Sequence, residues 1–201
     1  MSRTPMLAVG LAAALAFGAT AAQAQSGNSM SQPSSTAQPS MNKNSDMSKK
    51  ASKADQHFLT EAMQGDMAEV EMGKLAQQNG QSEDVKQFGQ MLQTDHGQHL
   101  QQAQQMAQQM GVTPPTAPSA KQKAMHDKLA KEQGAKFDKA FAKAMVKDHK
   151  EDIAKYQKEA KSKGPLAQFA EQTVPVLQKH LQTAQSIESK GAMTGAKSGA
   201  K

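Results

Sequence analysis

Four of the chain's six histidines, His96, His99, His149 and His180, recur at helical spacing among apolar residues, and Asp66, Glu69, Asp148 and Asp152 are placed in the same way. Imidazoles and carboxylates that converge inside a helical core can hold a single Zn²⁺, Cu²⁺, Ni²⁺ or Fe²⁺ ion. Turning each segment through about 100° per residue tests which of them point inward. In one segment Val85, Phe88, Leu92, Leu100, Ala103 and Met110 form the apolar arc, and His96 and His99 lie inside it. In the next, His149 and Asp152 fall among Phe137, Phe141, Met145, Ile153 and Tyr156, with Asp148 on the margin. In the last, His180 lies at the edge of an arc made by Leu166, Phe169, Val174, Leu177, Leu181 and Ala184. In the first, Asp66 and Glu69 sit near the apolar mean and Glu71 well off it.

Depth strengthens the grouping. Counting back from the turns at about 1.5 Å per residue puts His96, His149 and His180 roughly 22–24 Å from the hairpin end, with Asp66 level and Glu69 and Asp152 about one turn nearer the turns. The candidate metal ligands are therefore Glu69, His96, His149, Asp152 and His180, with Asp66, His99 and Asp148 behind them. The competing reading is a metal-free polar network in which the histidines pair with Asp66, Glu69 and Asp152 and fix the register of the helices. His57 and His126 sit near helix starts and read as surface residues.

Other chemistries find less support. A two-iron centre wants a Glu three residues before a ligating His on each of two helices, and Gln93, His96, Val146 and Leu177 occupy those positions. An oxidase or peroxidase-like enzyme at the same place would want more carboxylates. No nucleophile–base pair, Gly-rich phosphate loop or pair of catalytic carboxylates stands out, so the pattern leans away from an enzyme. Met30, Met41 and Met47 near the N-terminus, and Met63, Met67, Met72, Met91, Met106 and Met110 further on, could offer thioethers to Cu(I). At helical spacing the latter read as adaptable core filling.

The elements that would position these residues come as a duplication. At a separation of 81 positions Gln87-Phe88 matches Gln168-Phe169, His99-Leu100 matches His180-Leu181, and Ala103-Gln104 matches Ala184-Gln185. The first helix is expected from about residue 55 to Asn79, stopped by Asn79-Gly80, and the second starts behind Ser82 and ends at Gly111. Residues 112–118 hold three prolines and cannot be helical. A short helix over about 121–132 is closed by Gly134, and a third long helix covers about 136–163. Gly164-Pro165 then ends that helix and begins a fourth that reaches Ser189 and carries Pro175, which frees the Glu171 carbonyl. The expected fold is all-α: a ferritin-like four-helix bundle of two antiparallel hairpins joined by a crossover with a short extra helix. A simple up-down-up-down bundle is the alternative.

Both ends read differently from the middle. Arg3, the apolar run from Met6 to Ala22 and the Ala22-Gln23-Ala24 site form an export signal over residues 1–24, cleaved after Ala24. Residues 25–52 read as a disordered tether, 53–189 as the bundle and 190–201 as a disordered tail. The protein is thus expected in the periplasm or outside the cell. Without Cys it has neither a disulfide nor a lipoprotein anchor, and no later stretch is apolar enough to span a membrane. The formal charge is +6, but one Tyr and no Trp leave no platform for base stacking, so nucleic acid is not an expected partner. A monomer or weak homo-oligomer that meets an envelope partner is expected.

Met67-Ala-Glu-Val-Glu-Met-Gly-Lys-Leu-Ala76, Val85 to His96, Phe137-Asp138 with Met145 to His149, and Val174 to Leu181 together resemble a bacterial exported family, domain of unknown function 4142. The resemblance covers about residues 54–188. It implies a ferritin-like four-helix fold and a periplasmic location, and its pattern falls on Glu69, Glu71, Asp95, His96, Asp148, His149, Pro175 and His180. Glu71 and Asp95 thereby join the candidates, whereas His99 and Asp66 lie outside the pattern. The family lends no activity, and the outer-membrane label often given to it finds no strand or anchor here. Two functions are expected in turn: single-ion binding in metal handling or envelope stress, or a metal-free structural or interaction module of the envelope.

Overall fold

Ser52 opens the first helix by a reciprocal cap: its hydroxyl accepts from the Asp55 N–H at 3.1 Å, and the Asp55 carboxylate accepts from the Ser52 N–H at 2.9 Å. The computed structural model describes residues 51–198, with side chains to Gly191, as five helices: α1 (Lys53–Asn79), α2 (Glu83–Gln109), α3 (Ala120–Leu129), α4 (Gly134–Ala160) and α5 (Ala167–Ser198). The expected export signal, nearly all of the tether and residues 199–201 lie outside the described residues. Among the described residues there is no strand, and no helix is long and apolar enough to cross a membrane.

The helix ends differ from expectation where local bonds outweigh the punctuation. Ala51 is buried and Ser52 caps α1, while the rest of the expected tether lies outside the described residues. Gly134 does not close α3: at φ +62° it is the left-handed residue from which α4 starts, while α3 ends at Leu129. α4 ends at Ala160, because Ser162 gathers the turn by donating to Glu159 and accepting from the Gly164 N–H. α5 runs on to Ser198, through most of the stretch expected to be a tail.

Contacts at the helix ends give the chain its directions. Asp138, near the start of α4, accepts from the N–H groups of Gln81 and Ser82 at 2.9 and 2.8 Å, so α4 begins beside the α1–α2 turn. Lys190 of α5 meets Asp84 of α2 at that same end. Gly164, in the α4–α5 turn, lies against Asp55 at the opposite end. Hence α1 and α5 run one way and α2 and α4 the other, and residues 110–133, with α3, travel back along the length of the helices. Gly73 and Gly89 let α1 and α2 approach: a Cβ on Gly73 would collide with the Gly89 carbonyl, and one on Gly89 would stand 2.6 Å from the Gly73 carbonyl.

The core is divided. One cluster, including Met72, Val85, Phe88, Phe137, Phe141 and Met145, fills the end near the α1–α2 turn. The other, including Leu59, Met63, Met110, Tyr156, Leu166 and Leu177, fills the far end. Full burial of each such large side chain contributes roughly 1.5–3 kcal/mol. The buried methionines are core filling, as their helical spacing suggests. On every long helix the residues between the two clusters are polar: Asp66 and Glu69, His96, His149, and His180, all buried.

Candidate metal centre

His96 of α2, His149 of α4 and His180 of α5 meet in this middle layer, with ring centroids 5.2–5.9 Å apart. One nitrogen from each ring lies within 4.8 Å of the other two. Three nitrogens on one Zn²⁺ at bonds of 2.0–2.1 Å would stand about 3.3–3.5 Å apart, so small ring rotations suffice. His149 Nε2 and His180 Nδ1 are already at 3.3 Å. His180, expected at the edge of its arc, is fully buried.

The outward nitrogens decide where the protons sit. His149 Nδ1 donates to the Met145 carbonyl at 3.0 Å, and a carbonyl can only accept. His96 Nδ1 donates to Asp66 Oδ1 at 2.9 Å, and His180 Nε2 to Asp95 Oδ2 at 2.8 Å. With one proton on that outward nitrogen, a ring presents a lone pair on the other: Nε2 of His96, Nε2 of His149 and Nδ1 of His180. His96 Nε2 is buried without a hydrogen-bond partner. Carboxylates or carbonyls behind each imidazole are the supporting shell that orients histidine ligands in metal sites.

Burial keeps the His149 and His180 rings neutral. Burial, then the neighbouring His96 and His180, pushes His149 down to about 3. Burial pushes His180 down to about 4, although Asp95 works against the shift. Burial alone would raise Asp66, but hydrogen bonds from His96 and His99 outweigh it and hold its carboxyl below the usual value. His99 donates to Asp66 Oδ2 at 2.7 Å and meets Thr173 Oγ1 at 3.0 Å. Thr173 Oγ1 also donates to the Phe169 carbonyl at 2.8 Å, which holds the hydroxyl beside His99. His99, stacked on Phe169 at 4.6 Å, is thus fixed between Thr173 and Asp66 and supports Asp66.

The other sequence candidates lie around the three histidines. Among the described residues, Glu69 and Asp152 do not join the group whose ligand atoms converge. Glu69 is buried with Oε2 unpartnered; burial, then Asp148, raises its carboxyl well above the usual range. Asp152 is half-buried, leans towards Lys155 at 3.5 Å, and is pushed up to about 6 by burial and by Asp148. Glu71 is exposed, and Asp148 is half-buried. Asp66 and Asp95 act on the histidines rather than beside them. His57 is exposed opposite Glu61, and His126 faces Asp127.

Two participants carried no recognised signal in the sequence. The Met145 carbonyl has none, although every helical His faces a carbonyl four residues back. Thr173 could have been noticed as a hydroxyl on the buried face of α5, two turns before His180. No curated protein and no solved structure matches the chain. Residues 40–187, which hold the whole polar layer, match the sequence model of a domain of unknown function, DUF4142, and the chain belongs to that family.

Proposed function

We propose that this protein is an exported, periplasmic, ferritin-like helical bundle that binds one transition-metal ion through His96, His149 and His180, and that it serves metal handling or envelope stress protection. Two hairpins joined by a long return connection, with α2 and α4 running the same way, support the ferritin-like reading. The observation that carries the metal reading is that three buried imidazoles each bring one nitrogen within 4.8 Å of the other two. In a metal-free core, His149 Nε2 and His180 Nδ1 would oppose lone pairs at 3.3 Å, and His96 Nε2 would stay unpartnered at a cost of roughly 1–3 kcal/mol.

A cation at their meeting point removes both penalties. Neutral imidazoles suit Zn²⁺, Cu²⁺, Ni²⁺ and Fe²⁺. When bound, such an ion supplies Lewis acidity, or redox chemistry if it is copper or iron. The chain's own contribution is to orient the three rings through Asp66, Met145 and Asp95, and to cover the layer on one side with Phe88, whose ring lies 6.0–6.3 Å from those of His180 and His149.

The metal-free interaction module remains the second reading, favoured by the His96–Asp66 and His180–Asp95 bonds, which would also fix helix register. Titration of chelator-stripped protein with each ion separates the two. Metal binding predicts uptake of one ion per chain and at least a 10-fold loss of affinity in His180→Ala. Equal uptake by wild type and variant would refute the site. Osmotic-shock release of the tag-free protein tests the location.

A further inference from the structure

The layer is not closed on every side. Between α2 and α5 the surface opens into a cleft of about 420 Å³. Two of the three clustered imidazoles, His96 and His180, line it, and Thr173 and Phe169 stand beside them. Val176 and Lys179, both exposed, also line it, and among the described residues Val176 is the large apolar side chain left most open, at 38 %. The Asp95 carboxylate in the same wall is committed to His180. The wall therefore carries two charges, the Asp95 carboxylate and the exposed Lys179 ammonium, the latter set among the amides of Gln98, Gln102 and Gln172.

We propose that this cleft admits a small carboxylate with a short apolar body to the ion held by the three histidines. The proposal rests on the metal reading and names the ligand class of that site. An ion with three protein ligands keeps a position open for an outside donor, and the cleft is the opening that reaches two of those ligands. The ion itself, with Lys179 and the amides beside the way in, favours an anionic head over a cationic one, and offsets the Asp95 carboxylate. Phe169, Val176 and Leu177 give an apolar chain something to cover. A void of this size fits a molecule of modest size, not a folded partner.

The test uses the full chain loaded with Co²⁺, whose visible spectrum reports its coordination, titrated with butyrate and with azide. The expected result is a saturable spectral change with both anions. Val176→Trp fills the mouth from an exposed position, and should weaken butyrate at least 10-fold while Co²⁺ affinity stays within about 2-fold. Lys179→Gln should weaken both anions several-fold and more so at low salt. A cobalt-loaded protein whose spectrum ignores both anions overturns this proposal and leaves the metal reading standing, as does butyrate binding unchanged in both variants. A response to azide alone overturns the carboxylate class. A protein that takes up no cobalt overturns the metal reading and this proposal with it.

Discussion

His149 Nε2 and His180 Nδ1 stand 3.3 Å apart with no proton between them, because Met145 and Asp95 hold the hydrogens of the two rings on their far sides. A packed core does not gain from opposed lone pairs. A cation between the rings would remove that opposition.

Acid should weaken the metal-free fold through these rings. An unfolded chain protonates His149 and His180 near 6.5, whereas burial pushes them down to about 3 and about 4 in the folded state. The unfolded state therefore takes up protons first as pH falls below 6.5, and each ring withdraws about 2 kcal/mol of stability between pH 7 and pH 5. Asp152 acts in the opposite sense. Its carboxyl, pushed up to about 6 by burial and by Asp148, is protonated in the folded state before the unfolded 3.8, so it restores stability through that range. Urea unfolding with chelator at the two pH values should show His149→Gln losing about 2 kcal/mol less than wild type. Identical losses would mean that His149 is not held neutral by burial.

Asp66→Ala should be costly twice over. It strips the acceptor from the N–H groups of both His96 and His99 in a buried setting, which predicts a loss of about 3–5 kcal/mol in chemical denaturation. In protein that still folds, metal affinity should drop 10–100-fold, because His96 loses the group that sets its tautomer. A variant with wild-type affinity would show that Asp66 has only a structural role.

Glu69→Gln distinguishes the converging histidines from the wider ligand set read from sequence. Burial, then Asp148, keeps Glu69 neutral well above the usual carboxyl range, so the amide is a close substitute. Metal affinity should stay within about 3-fold, well short of the loss expected when a ligand is removed. A loss of 10-fold or more would return Glu69 to the ligand set.

The site is partly legible in the sequence. His96, His149 and His180 each interrupt an apolar arc near mid-helix, and that position holds whichever end is counted from. Counting from the turns puts Glu69 and Asp152 level only if both turns share one end. Asp138 pins the start of α4 to the α1–α2 turn, so the two turns lie at opposite ends and those residues fall on opposite sides of the middle. The duplication misleads for the same reason: it pairs His99 with His180, yet His96, nearer the midpoint, is the residue that reaches the cluster. The hairpins are legible from Asn79-Gly80 and Gly164-Pro165, because turn chemistry is local. The backbone carbonyl behind His149 is not, since it belongs to no residue type.

The close approach of α1 and α2 sets the level at which Asp66 meets His96. Gly73→Ala should destabilise by about 1–3 kcal/mol, because the added methyl meets the Gly89 backbone, which cannot rotate away. Gly97→Ala, on the same pair of helices but with nothing within 4 Å of the new Cβ, should stabilise by about 0.5–1 kcal/mol. Thermal melts of the two variants should therefore shift in opposite directions. A shared direction would show that the close helix contact does not govern this pair.

The most direct measurement is the metal content of the protein recovered from the host compartment without a histidine tag or chelator, alongside His96→Ala and His149→Ala. A three-histidine centre predicts near one ion per chain of zinc, copper, nickel or iron in the wild type, and its loss in both variants while their helical content persists. A wild-type protein that arrives without metal and takes up none of the four ions would contradict it.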